Sequence, residues 1–135
     1  MEDLFLKIIK GEIPSEKIYE DDKTYAFLDI NPTNQGHTLV VPKNYSRNIY
    51  DIDVEDWIAL MSVVHKLAPK IKKAVGADGV NIIMNNEKPA GQLVFHSHVH
   101  IVPRYKIDGF KNWKGTPYKE GEIEKIGKKI RDNLI

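Results

Sequence analysis

The apolar residues at the start of the chain predict a helix followed by a pair of strands. The first apolar set recurs at helical spacing and comprises Leu4, Phe5, Ile8 and Ile9. This spacing predicts a helix over 4–10, with Asp3 as its N-cap and Gly11 as its stop. Two short β-prone runs at 17–20 and 24–28 follow, and the acidic tripeptide between them is typical of a tight turn. We therefore expect a hairpin after the first helix.

The middle of the chain predicts a third strand and the longest helix. A β-branched run at 37–41 ends at Pro42 and reads as a strand. From Asp53 onward, apolar residues recur every three or four positions: Val54, Trp57, Ile58, Met61, Val64, Ala68, Ile71 and Val75. This period predicts an amphipathic helix. Pro69 lies inside it and predicts a kink, because its ring removes one backbone donor.

The remaining pattern predicts two more strands and a terminal helix. Runs at 80–84 and 93–102 have strand character and are joined by a polar loop. A narrow apolar stripe marks the terminal helix: Ile123, Ile126, Ile130 and Leu134. We expect an α+β fold in one domain over 1–135, with a core at about 4–104 and an extension at about 105–135. Its meandering antiparallel sheet of about five strands would carry two main helices on one side, plus the C-terminal helix.

Composition narrows the possible function. The chain has 135 residues, 20 Lys plus Arg against 19 Asp plus Glu, a net charge of +1 and no Cys. Disulfides and Cys-based zinc sites are thereby excluded. So small a net charge gives no strong field for a nucleic acid polymer or an anionic membrane. The longest apolar run, 57–61, is too short to span a bilayer, and no secretion signal is visible, so we expect a cytoplasmic protein.

Three of the five histidines fall close together, at His96, His98 and His100. If this run is a regular strand, all three imidazoles project from one face, roughly 6.6 Å apart between successive Cα atoms. A solvated strand face would explain one such histidine better than three. Two chemical hypotheses remain open from the residues alone. Two of the imidazoles could ligate zinc with help from His37 or Asp29. Alternatively, His98 could attack phosphorus while its neighbours orient it or donate hydrogen bonds.

The segment His96-Ser97-His98-Val99-His100-Ile101-Val102 resembles the motif of the histidine triad (HIT) family of nucleotide hydrolases and transferases, most closely its Hint-like prokaryotic and archaeal branch. Further stretches agree in order and spacing: 11–14, 19–22, 26–30, 36–43, and 85–86 with 90–92 in the loop before the triad. The resemblance covers the chain from about residue 4 to residue 104.

The resemblance implies reaction at the α-phosphate of a purine nucleotide. His98 would form a covalent nucleotidyl-histidine that water later releases, with His96 and His100 as triad partners and His37 in support. Asn85 and Gln92 would contact phosphate, and Asp29 would hold the ribose hydroxyls. The base pocket would comprise Leu4, Phe5, Ile8, Phe27 and Ile30. The substrate would be a nucleoside phosphoramidate, an adenylate or a dinucleoside polyphosphate, and the protein would be a homodimer without a cofactor.

Some positions depart from the family pattern. Many relatives bind a structural zinc ion through residues that correspond here to Asp3, Leu6 and Tyr45, so we expect no structural metal. Glu87 stands where relatives often have Gly, and Leu93 where some have a Ser that assists the leaving group. Two other functions stay open: a nucleotide-binding regulatory module with little turnover, and a His-ligated metalloprotein.

Overall fold

A computed structural model describes residues 3–135 of the chain. The helices are α1 (Leu4–Ile9), α2 (Val54–Ala74) and α3 (Glu122–Asp132). The strands are β1 (Lys17–Glu20), β2 (Thr24–Leu28), β3 (Thr38–Pro42), β4 (Gly79–Ile83) and β5 (Val99–Arg104). All strand pairs are antiparallel, in the order β1-β2-β3-β5-β4. The predicted α+β class and the five-stranded sheet are confirmed.

The local signals at the first helix are confirmed. The Asp3 carboxylate accepts a hydrogen bond from the Leu6 N–H at 2.8 Å, so Asp3 caps α1. Gly11 has a φ of +80°, a left-handed conformation that ends the helix and that side chains disfavour. The long helix α2 runs through Pro69.

The prediction that the helices share one face of the sheet is wrong. Ala26 and Val40 point towards α2, in a buried cluster that includes Leu60 and Leu67. Their strand neighbours point the other way and pack with Phe5 and Ile8 of α1; these are Tyr25, Phe27, Leu39 and Val41. Because side chains alternate along a strand, α1 and α2 cover opposite faces. The local sequence pattern makes each helix amphipathic but does not select its face.

The predicted strand at 93–102 begins later, at Val99. The preceding segment leaves the ladder because its polar groups bond to the loop that follows β3. The Ser97 N–H donates to the Ser46 carbonyl at 2.8 Å, and the two hydroxyls lie 2.6 Å apart. His96 and His98 precede β5, yet the three imidazoles lie on the α1 side of the sheet, as predicted. Phe5 of α1 meets the rings of His96 and His98, and the His98 ring lies 5.0 Å from that of His100.

The C-terminal segment lies apart from the sheet. Every residue from 109 to 135 is exposed except Gly127, which is half-buried. The predicted terminal helix is confirmed as α3, and its apolar stripe faces outward, with Ile123 and Ile130 each 57% exposed. Among residues 3–135, no helix is long and apolar enough to cross a membrane.

Candidate active site

His98 lies one residue before β5 and has a defined tautomer. Its Nδ1 is 2.7 Å from the backbone carbonyl of His96. Because a carbonyl only accepts, Nδ1 carries the proton and Nε2 keeps its lone pair. No group among residues 3–135 forms a hydrogen bond with Nε2 of His98. The His98 imidazole is thus fixed by its Nδ1 hydrogen bond, and the free lone pair of Nε2 can act as a nucleophile.

A chain of hydrogen bonds also sets the tautomers of His37 and His100. The Thr33 N–H donates to Nδ1 of His37 at 3.1 Å, so neutral His37 carries its proton on Nε2. That Nε2 lies 2.9 Å from Nδ1 of His100 and donates to it. His100 therefore carries its own proton on Nε2, and no other described residue accepts it. The arrangement leaves one N–H of His100 for a substrate.

Burial keeps these imidazoles neutral near pH 7. Burial lowers the pKa of His98, partly opposed by the hydrogen bond to His96. Burial also lowers the pKa of His37, against the attraction of the Asp29 carboxylate. The pKa of His100 falls to about 4, first through burial and then through the positive charges that His98 and His37 would carry. Neutral His98 is the form that can attack an electrophile.

His96 has a different environment from its two partners. Its ring is completely buried, with Nε2 2.8 Å from the Pro42 carbonyl and Nδ1 3.2 Å from the Asp3 carboxylate. The rings of Phe5 and Tyr45 pack edge-on against it. Both ring nitrogens are therefore engaged within the protein. His96 contacts the His98 imidazole through its backbone carbonyl, which accepts a hydrogen bond from Nδ1 of His98.

The metal hypothesis can be tested on the donor groups. Asp29, His37 and His100 offer ligand atoms that lie within 4.8 Å of one another. A metal-bound histidine donates its second N–H to an acceptor. Nδ1 of His37 instead faces the N–H of Thr33, so metal binding through Nε2 would set two protons against each other. The ring nitrogens of His96 are also occupied, and these donor sets therefore fit a resident metal ion poorly.

The residues predicted to make polar contacts with the phosphate and the ribose fall into two groups. Asp29 lies beside the histidines, with one carboxylate oxygen 3.7 Å from Nε2 of His37 and the other accepting from the Asn31 N–H. The Asn85 side chain makes no hydrogen bond with any of residues 3–135 and packs beside Gly91. Both side chains keep polar atoms available for a ligand.

Gln92 lies in another environment, because all of its hydrogen-bonding capacity is used within the protein. It is 1% exposed; its amide donates to the carbonyls of Arg47 and Val94, and its oxygen accepts from the Glu87 N–H and the Asn48 amide. In this conformation Gln92 has no donor left for a phosphate. It connects the loop before the triad to the loop that follows β3.

Glu87 also joins the loop before the triad to the loop that follows β3. Its carboxylate forms a two-point ion pair with the Arg47 guanidinium at 2.8 and 3.2 Å and accepts from the Asn48 amide at 2.5 Å. Arg47 first, and then Asn48, lower the pKa of Glu87. Its backbone has a φ of 77° and a ψ of 157°, a region that only glycine adopts without strain. The Glu87 side chain is therefore held by its ion pair with Arg47, while the Glu87 backbone is strained.

The predicted base-pocket residues separate into buried and exposed members. Phe5, Ile8 and Phe27 belong to the buried cluster under α1, whereas Leu4 and Ile30 are 45% and 87% exposed. The Phe5 ring meets the His98 ring edge-on with 5.0 Å between centroids. Phe5 therefore connects the apolar cluster to the histidines.

Sequence reasoning missed four residues that shape the site. The sequence predicts Asp3 as a helix cap but does not reveal its contact with His96. Thr33 acts through its backbone N–H, which no side-chain pattern reveals. Arg47 and Asn48 lie about forty residues from Glu87 along the chain, so only the fold brings them together.

Comparison with known proteins agrees with this geometry. The HIT domain family model matches residues 10–107. A HIT-like protein of Mesomycoplasma hyorhinis is 51% identical over 78% of this chain and 95% of its own length. The adenosine 5'-monophosphoramidase HNT1 of Saccharomyces cerevisiae is 40% identical over 97% of this chain and 80% of that protein. A crystal structure of a HIT family member from Bacillus subtilis superposes with a TM-score of 0.91, at 40% identity, over 100% of this chain and 99% of that one.

Proposed function

Because the chain belongs to the HIT family, we propose that it hydrolyses purine nucleotides at the α-phosphate through a covalent intermediate on His98. The candidate substrates are nucleoside phosphoramidates, adenylates and dinucleoside polyphosphates. We favour phosphoramidates, because yeast relatives are named adenosine 5'-monophosphoramidases. The observation that carries the proposal is the hydrogen bond from His98 Nδ1 to the His96 carbonyl, which leaves the lone pair of Nε2 without a donor among residues 3–135.

The first step forms a bond between His98 Nε2 and phosphorus and breaks the bond between phosphorus and the leaving group. The imidazole gains positive charge, which the His96 carbonyl stabilises through Nδ1–H. Lowering of the His98 pKa by burial keeps Nε2 unprotonated and reactive at neutral pH. A held nucleophile of this kind replaces one difficult displacement by two easier ones.

Departure of the amine requires a proton. Solvent supplies it, because neutral His100 keeps its single proton near pH 7; the Nε2–H of His100 instead donates a hydrogen bond to a phosphoryl oxygen, where negative charge develops. Water then attacks phosphorus, releases its proton to solvent and displaces the nucleoside monophosphate from His98. Both catalytic imidazoles are restored, so each turnover consumes one substrate and one water molecule.

The remaining predicted residues bind the substrate in this proposal. The unpaired amide of Asn85 is suited to a phosphate oxygen, and the Asp29 carboxylate to the ribose hydroxyls. Exposed Leu4 and Ile30, with the edge of the Phe5 cluster behind them, offer apolar surface to a flat purine. Gln92 supports the site by holding the loop at 85–92 in place.

We also propose that the protein works as a homodimer. The outer edge of β4 has no strand partner in the part of the chain described, and Ile82 and Ile83 on it are 43% and 39% exposed. The apolar stripe of α3 is likewise uncovered. Open sheet edges and apolar stripes of this kind are surfaces that proteins bury on association.

Steady-state hydrolysis of adenosine 5'-phosphoramidate tests the proposed activity. Wild-type protein should turn over with and without a chelator, and folded His98→Ala should lose at least about a thousandfold in kcat/KM. Nucleotide binding without turnover across phosphoramidates, adenylates and dinucleoside polyphosphates would instead indicate a binding module. Activity that a chelator removes and zinc restores would indicate a metalloenzyme.

A further inference from the structure

Asp3 makes two contacts that connect distant parts of the chain. One carboxylate oxygen accepts from the Leu6 N–H at 2.8 Å and caps α1. The other oxygen lies 3.2 Å from Nδ1 of His96, a residue 93 positions further along the chain. The Asp3 side chain is 18% exposed and that of His96 is 0% exposed. A single carboxylate thus ties the start of α1 to the segment that leads into β5.

The hydrogen bonds of His96 show what this carboxylate contributes. The Pro42 carbonyl, 2.8 Å from Nε2, can only accept, so Nε2 carries a proton. The bond between Nδ1 and Asp3 then holds one further proton between the two groups. Asp3 is the only residue among 3–135 that bonds to Nδ1. Without it, a buried ring nitrogen would lose its partner, which is costly in an apolar environment.

The position of α1 matters for the nucleophile. Phe5, at 3% exposure, packs edge-on against His96 and His98, with ring centroids 5.9 and 5.0 Å away. The helix spans only six residues, which is too few to be stable without tertiary contacts. Its placement therefore depends on the buried face around Phe5 and on the capping residue that joins it to His96.

We propose that Asp3 is a positioning residue for the active site. Through its contact with His96, Asp3 holds α1, and with it Phe5, against the His98 imidazole. The kinetic effect expected from this role rests on the proposed function. The bond from His98 Nδ1 to the His96 carbonyl does not involve Asp3. Loss of the Asp3 contact should therefore weaken binding of the purine nucleotide beside α1 more than it slows the chemical step.

Two substitutions of Asp3 and one control separate its helix-capping role from its contact with His96. Asp3→Ser keeps an N-cap oxygen but is too short to reach His96. Asp3→Asn keeps the cap, and its amide can donate to unprotonated Nδ1 of His96. Asp21→Ser is the matched control, because Asp21 caps the β1–β2 turn by accepting from the N–H groups of Lys23 and Thr24, outside the site.

Steady-state kinetics with adenosine 5'-phosphoramidate and ¹⁵N NMR of the histidines provide the readouts. We expect Asp3→Ser to raise KM about tenfold, the value of one hydrogen bond to a charged group, with kcat within about twofold of wild type. Its His96 Nδ1 resonance should shift to that of an unbonded nitrogen. Asp3→Asn should restore KM to within about twofold, and Asp21→Ser should change neither readout.

An unchanged KM and an unchanged His96 resonance in folded Asp3→Ser would overturn the proposal. So would an Asp3→Asn variant that is as impaired as Asp3→Ser, because its hydrogen bonds are retained. If wild-type protein has no turnover, the proposed function fails separately. In that case the His96 resonance and the dissociation constant for adenosine monophosphate, which should rise in Asp3→Ser, still decide the role of Asp3.

Discussion

Nε2 of His37 lies 2.9 Å from Nδ1 of His100, and this contact determines which nitrogen of His100 carries the proton. The direction of the bond follows from the Thr33 N–H, which occupies the other nitrogen of His37. A backbone amide in the loop before β3 is thereby coupled to the hydrogen-bond donor proposed for the phosphoryl group. In the proposed mechanism, His37 acts through His100 without contacting the phosphorus.

Removing the donor at position 37 should slow the chemical step. In His37→Leu, Nδ1 of His100 loses its partner, so the ring can adopt the tautomer with no proton on Nε2. We expect kcat to fall by about tenfold to a hundredfold, because a hydrogen-bond donor to the transition state is partly lost, with KM within about threefold of wild type. His65→Leu is the matched control, since His65 is exposed on α2 and its side chain makes no hydrogen bond with any of residues 3–135. A kcat for His37→Leu equal to that of the control would contradict the assignment.

The buried imidazole of His100 should make the fold acid-sensitive. Its pKa of about 4 lies below the ordinary 6.5, so the unfolded chain binds more protons than the folded chain between these two values. The free energy of unfolding should therefore be constant above pH 6.5 with respect to this group and should fall by about 2 kcal/mol as the pH approaches 4.

Urea unfolding of wild type and His100→Gln at several pH values measures this effect. The difference between the two curves separates His100 from the carboxylates that titrate in the same range. As the pH falls from 6.5 to 4, the free energy of unfolding of wild type should fall more than that of His100→Gln. Parallel curves over that interval would show that His100 is not buried in its neutral form.

Backbone strain at Glu87 should be visible in a pair of substitutions. Glu87→Ala and Glu87→Gly both remove the contacts with Arg47 and Asn48. Only glycine also relieves the positive φ. Glu87→Gly should therefore have the higher Tm of the two variants. Equal melting temperatures, or a more stable Glu87→Ala, would argue against strain at this residue.

The apolar stripe of α3 should contribute to self-association. Ile130 is 57% exposed in the single chain, and its burial against a second copy would favour dimerisation. We expect Ile130→Asp to raise the dimer dissociation constant at least about tenfold in sedimentation equilibrium. Lys125→Asp, on the opposite side of the helix, should leave it nearly unchanged. An unaffected dissociation constant in Ile130→Asp would remove α3 from the proposed interface.

Short-range signals predicted most of the secondary structure. The bounds of β1 and β2 agree with the expected ranges, because turn residues and β-prone side chains act within a few positions. The start of β5 was missed because Ser97 bonds to Ser46, about fifty residues earlier. The face covered by α1 was missed for a similar reason, since it depends on contacts with β2 and β3.

The candidate site shows the same limit. Clustering of three histidines indicated a reactive centre, but their spacing could not show that both ring nitrogens of His96 bond elsewhere. Gln92 has the residue type expected at a phosphate, yet its surroundings depend on Arg47, Asn48 and Glu87, which the fold assembles. The roles proposed for Asn85 and Asp29 remain predictions.

The most direct test of the covalent mechanism is to locate the nucleotidyl group on the protein during turnover. Wild-type protein mixed with adenosine 5'-phosphoramidate is denatured at successive times, digested and analysed by mass spectrometry. The account predicts an adenylyl group on His98 that appears before product accumulates and is absent from His98→Ala. Product formation with no protein adduct at any time, or with the adduct on another residue, would contradict it.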